Sequence, residues 1–178
     1  MQINLVSTGH HELKIMPKKK SAGLLLYRES DDQSGLEVLL VHPGGPFWQK
    51  KEDGSWTIPK GEFDDGDDAL TAARREFEEE TGASPPDEEF LQLKPVRQTG
   101  GKTVYAWAVK GDFDPTKLRS NMFPMEWPPN SGRLQQFPEI DRAAWLKPEL
   151  AKQKINRSQA PLIDQLLSLL KDLQRRSD

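Results

Sequence analysis

Glu76, Glu79 and Glu80 recur at intervals of three and four residues. On a helix turning about 100° per residue, that spacing gathers their carboxylates on one arc. Such a cluster supplies hard oxygen donors of the kind Mg²⁺ or Mn²⁺ prefers, and any one member is a candidate general base. Acidic runs on helices are ordinarily solvated faces, but this one breaks local rules. Glu76 and Glu80 form a like-charge i, i+4 pair costing roughly 0.2–0.5 kcal/mol. Glu78, Glu79 and Glu80 also crowd the negative end of the helix dipole, at about 0.3–1 kcal/mol each when exposed. A divalent cation would remove both penalties. An EF-hand is excluded, because its D-x-D-x-D-G spacing fails at Gly61 and Phe63.

The element that must carry these acids is legible around them. Asp68 is placed to cap a helix running Ala69 to Thr81, and Gly82 to end it in a left-handed turn. Leu70, Ala73 and Phe77 fall on an apolar arc beside the carboxylates. Ala69 and Ala72 lie on the carboxylate side earlier in the helix, and their small side chains predict an open surface there. Upstream, FWQKKEDGSWTIPKGE brings Phe47, Trp48 and Trp56 together with Lys50, Lys51 and Lys60. Aromatic faces can stack a base, and lysines can meet phosphates; core packing and a solvated loop are the competing explanation.

Together these residues resemble the Nudix hydrolase family. Its box, G-x5-E-x7-R-E-U-x-E-E-x-G-U with U a bulky aliphatic residue, is matched at Gly61, Arg75, Glu76, Glu79, Glu80 and Gly82. It is departed from at Asp67 in place of the first glutamate, at Phe77 and at Ala83. The resemblance implies an α/β/α sandwich with a mixed central sheet over roughly Lys18 to Leu173. It implies Mg²⁺-dependent hydrolysis, with Mn²⁺ as the other candidate ion, of a phosphoanhydride in a nucleoside diphosphate-linked substrate. Glu79 and Glu80 would be metal ligands, and Glu76 either a ligand or the base, oriented by Arg75. Glu139, six residues before Trp145, is the alternative base or a further ligand. The W-x-x-P-K-G stretch at Trp56 to Gly61 is similar to that of branches acting on diadenosine and diphosphoinositol polyphosphates. By that likeness the Lys60 or Gly61 carbonyl is a metal ligand and the Lys60 side chain a phosphate contact. Dinucleoside polyphosphates are the leading substrate class and nucleoside triphosphates the next. Trp48, Lys51, Trp56 and Glu126 are further candidates for substrate contact. Asp67 leaves one alternative open, a Nudix-fold nucleotide-binding or regulatory module without catalysis.

The rest of the chain frames this stretch. Its 178 residues suit one domain with tails: a leader at 1–17 containing His10 and His11, then a single domain at 18–178. A net charge of −3 and a mean hydropathy of −0.75 supply no basic field for a nucleic acid polymer, leaving a small phosphorylated partner, a nucleotide. Absence of cysteine excludes disulfides and thiol catalysis. No run reaches the ~20 apolar residues of a membrane span, and the cytoplasm is the default location. Ser21 to Arg28 and Leu36 to His42 read as a hairpin, and Phe90 to Gln98 and Thr103 to Lys110 as two further strands. The stretch Gly111 to Gly132 reads as a long loop over the site and Pro148 to Lys152 as the start of a short helix, while Leu134 to Leu146 resembles the last strand region of many Nudix domains. A terminal amphipathic helix, Ser158 to Gln174, should pack Leu162, Ile163, Leu166, Leu167, Leu170 and Leu173 on the sheet. His42 is expected at the surface or as a capping group, with catalysis as the alternative.

Overall fold

The computed structural model describes residues 19–30 and 35–177, so the leader and its histidines lie outside the described residues. Strand β1 (Lys20–Glu29) is the spine of the main sheet. Along one edge it runs parallel to β6 (Thr103–Lys110). Along the other it is antiparallel to two partners in succession: Ser21 to Gly23 pair with β3 (Lys60–Glu62), and Tyr27 to Glu29 with β2 (Leu36–Pro43). Outer strands β9 (Ile140–Leu146) and the short β4 (Leu91–Gln92) and β5 (Val96–Arg97) complete a mixed sheet. Gly23 makes the β1–β3 approach possible, since a Cβ there would meet Pro59 O at 2.5 Å.

Strict alternation along the strands divides the apolar residues into two cores. Ala22, Leu24, Leu26, Leu39, Trp107 and Val109 face helix α1 (Ala69–Thr81), which contributes Ala72, Ala73 and Phe77. Leu25, Val38, Leu40, Val104, Ala106 and Ala108 face the opposite way. There α2 (Pro148–Lys154) and α3 (Ala160–Ser177) bring Ala151, Leu162, Ile163 and Leu166. Helices on both faces of a mixed sheet make the α/β/α sandwich that the sequence implied.

Three expectations change. The stretch Gly111 to Gly132 is not an unstructured loop. It holds a 3₁₀ turn at Pro115–Lys117 and strand β7 (Met122–Glu126), which pairs with β8 (Leu134–Pro138) in a separate hairpin. Leu173 does not pack inward, being 41% exposed beyond the last turn of α3 that reaches the sheet. Ala72 is buried against the sheet rather than leaving an open floor before the acids, because the apolar arc of α1 is wider than Leu70, Ala73 and Phe77.

Candidate active site

The carboxylate helix is held at both ends. Asp68 accepts hydrogen bonds from Thr71 N and Oγ1 at 2.8 and 2.7 Å, and these bonds hold its carboxyl below the usual range. Gly82 adopts φ 77°, and its N–H donates to Glu78 O at 2.8 Å. Phe77, fully buried, pins the middle of α1 to the sheet. With that register fixed, Glu76 and Glu80 project toward β3 and Glu79 toward solvent.

Strand β3 meets both inward acids at Lys60 and Gly61. Lys60 N donates to Glu80 Oε2 at 2.9 Å. Gly61 is required on a second count, because a Cβ there would overlap the Glu76 carboxylate. Arg75 Nη2 donates to Glu76 Oε1 at 3.0 Å and to Glu62 O at 3.5 Å, which fixes Glu76 against β3. Its Nε lies 3.8 Å from the half-exposed Glu79 carboxylate. Glu139 occupies the one-residue corner between β8 and β9, its N–H donating to Asn121 O and its C=O accepting from Gly44 N, each at 2.8 Å. The sequence run Leu134 to Leu146 is thus two strands in two sheets, and the break presents Glu139 to the acids.

Burial pushes the Glu80 carboxyl up to about 8, and the neighbouring charges of Glu76 and Glu139 push in the same direction. Burial likewise lowers the Lys60 ammonium, against the opposing pull of Glu80. This has a measurable consequence in cation-free protein. An unfolded chain releases the Glu80 proton near the usual 4.5 while the folded protein keeps it to about 8. Between those values the folded state holds more protons, so stability falls as pH rises. We expect Glu80→Gln to flatten that slope, so that thermal melts between about pH 5 and about pH 9 show the variant above the wild type at the alkaline end. Parallel slopes would contradict the burial argument.

The other expected site residues divide. Trp48 is 39% exposed, with the Lys51 ammonium 4.6 Å from its ring centre, and so presents an aromatic and cationic pair. Trp56 is a correction. At 4% exposure it sits in the core on the α2–α3 face, donates from Nε1 to Glu52 at 3.3 Å, and has the rings or cations of His42, Arg142 and Lys154 around it. No face of its indole is free for a base. Glu126 accepts from Gly132 N at 2.7 Å and closes the β7–β8 hairpin. Asp67 closes a turn instead of joining the acids: its N–H donates to Asp64 O, and its carboxylate accepts from Asp64 N at 3.3 Å. A cavity of about 410 Å³ opens beside Arg75, lined by Lys20, Glu62, Asp65 and Asp67 among others.

Lys20, which lines this cavity, and Lys102, which pairs with its lining residue Glu62, were not among the expected site residues. Lys102 is ion-paired to Glu62 and Lys20 to Asp65. Lys20 pairs in register with Thr103 across the β1–β6 ladder, which sets Lys102 beside it. A parallel ladder between residues so far apart has no local signature.

Comparison with known proteins places this geometry. The NUDIX domain family matches residues 17–166. An 8-oxo-(d)GTP phosphatase of Mycolicibacterium smegmatis is 32% identical over 108 residues, covering 54% of this chain and 31% of that protein. An RNA pyrophosphohydrolase of Caulobacter vibrioides is 40% identical over 52 residues, 26% of this chain and 30% of that protein. The chain therefore spans about a third of the length of these curated relatives. Among solved structures, a C. elegans Ap4A hydrolase binary complex superposes with TM-score 0.58 at 23% identity, covering 85% of this chain and 98% of that one. The NUDIX domain of Shewanella oneidensis NrtR complexed with ADP ribose gives 0.58 at 20% identity, covering 87% and 90%. Both are similar in fold.

Proposed function

This chain belongs to the NUDIX domain family, and from that premise we propose that it is a divalent cation-dependent hydrolase of phosphoanhydrides in nucleotide substrates. The observation that carries the reading is the placement of Glu80, a half-buried carboxylate that accepts from Lys60 N of strand β3 at 2.9 Å with Glu76 and Glu139 near it, where desolvation pushes its carboxyl up to about 8. Such a group ionises readily only when a cation joins it. The donor chemistry fits a hard divalent ion: carboxylates of Glu76, Glu79 and Glu80, and the carbonyl of Lys60 or Gly61. Among the described residues no three acidic or histidine side chains close on one point, so loading would draw in the half-exposed Glu79 by rotation about its side chain. Mg²⁺ is the leading ion and Mn²⁺ the second. When bound, the ion would supply charge neutralisation to the phosphates and acidify a coordinated water.

The chain's own residues supply the rest. Arg75 orients Glu76, leaving its other oxygen to hold the ion or to accept a proton from the attacking water. Glu139 at the β8–β9 corner is the alternative base. Lys60, Lys20 and Lys102 favour a polyphosphate chain, with Lys51 and Trp48 on the neighbouring loop for its distal phosphate or base. Dinucleoside polyphosphates and nucleoside triphosphates are the leading substrates. The likeness to proteins named for Ap4A and 8-oxo-(d)GTP supports that choice. We expect incubation with Mg²⁺ and a panel of diadenosine polyphosphates, nucleoside triphosphates and nucleotide sugars to give chromatographically resolved hydrolysis products that EDTA suppresses. Tight binding with no product from any member would favour a non-catalytic nucleotide-binding module.

No helix among the described residues is long and apolar enough to cross a membrane. A cytoplasmic setting, and one domain over 18–178, remain our proposals for the whole chain.

A further inference from the structure

His42 stands outside the reaction scheme, yet it is the most completely enclosed titratable side chain near the site, with no exposure. Nδ1 lies 2.7 Å from Asp141 Oδ1, and Nε2 lies 2.7 Å from the carbonyl oxygen of Lys51. Both partners are acceptors. A neutral imidazole has one donor and one acceptor nitrogen, so it would set a lone pair against one of them. In a buried site that mismatch is costly. From this we infer that His42 is a cationic, doubly donating positioning residue, which ties the Trp48–Lys51 substrate loop to the strand that carries Asp141, just after Glu139.

Asp141 is the carboxylate that faces the ring, and it belongs to a wider charged group. Asp141 also meets Arg142 Nε at 3.5 Å, Arg142 Nη1 meets Glu52 at 2.7 Å, and Lys154 Nζ meets Glu52 at 3.0 Å. With the imidazolium the group holds three cations and two carboxylates, so the ring's charge is held by its direct contact with Asp141 and not by the balance of the group; Trp56 sets its ring at 62° to the imidazole, 5.2 Å away. The loop end of the tie is equally specific. Lys51 N donates to Trp48 O at 2.8 Å, so fixing the Lys51 carbonyl fixes the turn on which the Lys51 ammonium lies over the Trp48 ring. Its consequence for substrate rests on the function proposed above; its consequence for the loop does not.

Two amide substitutions separate the bonds. Asn at position 42 can donate from near Nδ1, keeping Asp141 and losing Lys51, whereas Gln can donate from near Nε2, keeping Lys51. We expect His42→Asn to speed amide hydrogen exchange at Trp48 and Lys51 about tenfold and to raise KM about tenfold with kcat within about twofold, the scale of one lost hydrogen bond to a charged group. His42→Gln should restore both loop protection and KM to within about threefold of wild type. Equal impairment by the two variants, or unchanged loop exchange in His42→Asn, would overturn the inference. If wild-type protein cleaves no anhydride, the proposed function fails while the exchange arm still decides the tie. If His42→Asn does not fold, ¹⁵N NMR of the wild-type ring near neutral pH decides it: protons on both nitrogens support the assignment, and a proton on only one overturns it.

Discussion

Gly61→Ala should lower kcat by about 10²-fold or more while leaving the fold intact, the order of loss that follows when a catalytic group is displaced by about an ångström. The added methyl would occupy the space of the Glu76 carboxylate. Gly61 needs no left-handed backbone, since it is not among the glycines of positive φ, so alanine is tolerated there conformationally. The atom in its way is the far end of a flexible side chain, and the cheapest response is for Glu76 to swing away from β3. That movement breaks the hydrogen bond from Arg75 at 3.0 Å and separates the acid from the Lys60–Gly61 carbonyls. Function is lost and packing is not. The check pairs steady-state turnover with a thermal melt: a melting temperature within a few degrees of wild type beside collapsed kcat is the expected result. A variant that turns over normally would show that Glu76 does not need its place against β3.

Glu80→Gln should lower kcat by roughly 10³-fold, the upper range for removing one preorganised electrostatic partner from a water-poor site. Glutamine preserves shape and an oxygen for the Lys60 N–H at 2.9 Å, but it cannot take on the negative charge that a divalent cation would stabilise. The same substitution is expected to stabilise the cation-free protein at alkaline pH, because burial makes the Glu80 charge costly there. Opposite signs for stability and activity from one residue are the mark of a group retained for function. A structural glutamate would lose both together.

How far this site could be read from sequence follows from which interactions are local. The helix Ala69–Thr81 matches its expected span at both ends, because Asp68 and Gly82 act within one turn of their partners. Strands β1, β2 and β6 were likewise legible from apolar runs bounded by turns. Trp56 was misread for the opposite reason. Glu52 lies four residues away in the same loop, but Arg142 and Lys154 come from β9 and α2, and the aromatic-plus-lysine pattern that suggests stacking is the same pattern a capped core indole makes. The β7–β8 hairpin was hidden by Pro124 and Pro138, which argue against strand although an isolated two-stranded edge tolerates them. His42 was expected at the surface or as a capping group because it ends an apolar run, and it is instead fully buried within β2. What it bonds, Asp141 and the Lys51 carbonyl, is set by the antiparallel pairing of His42 with Arg142 and by the return of the loop.

The central claim is that the acids of α1, the Lys60–Gly61 backbone of β3 and Glu139 together make a cation-dependent centre for phosphoanhydride hydrolysis. The most direct test is the initial rate of cleavage of the best substrate from the panel as Mg²⁺ is titrated into metal-free wild-type protein. The account predicts a negligible rate without the ion, a saturable rise as it is added and full reversal by EDTA. Cleavage that proceeds equally well in metal-free protein would contradict it.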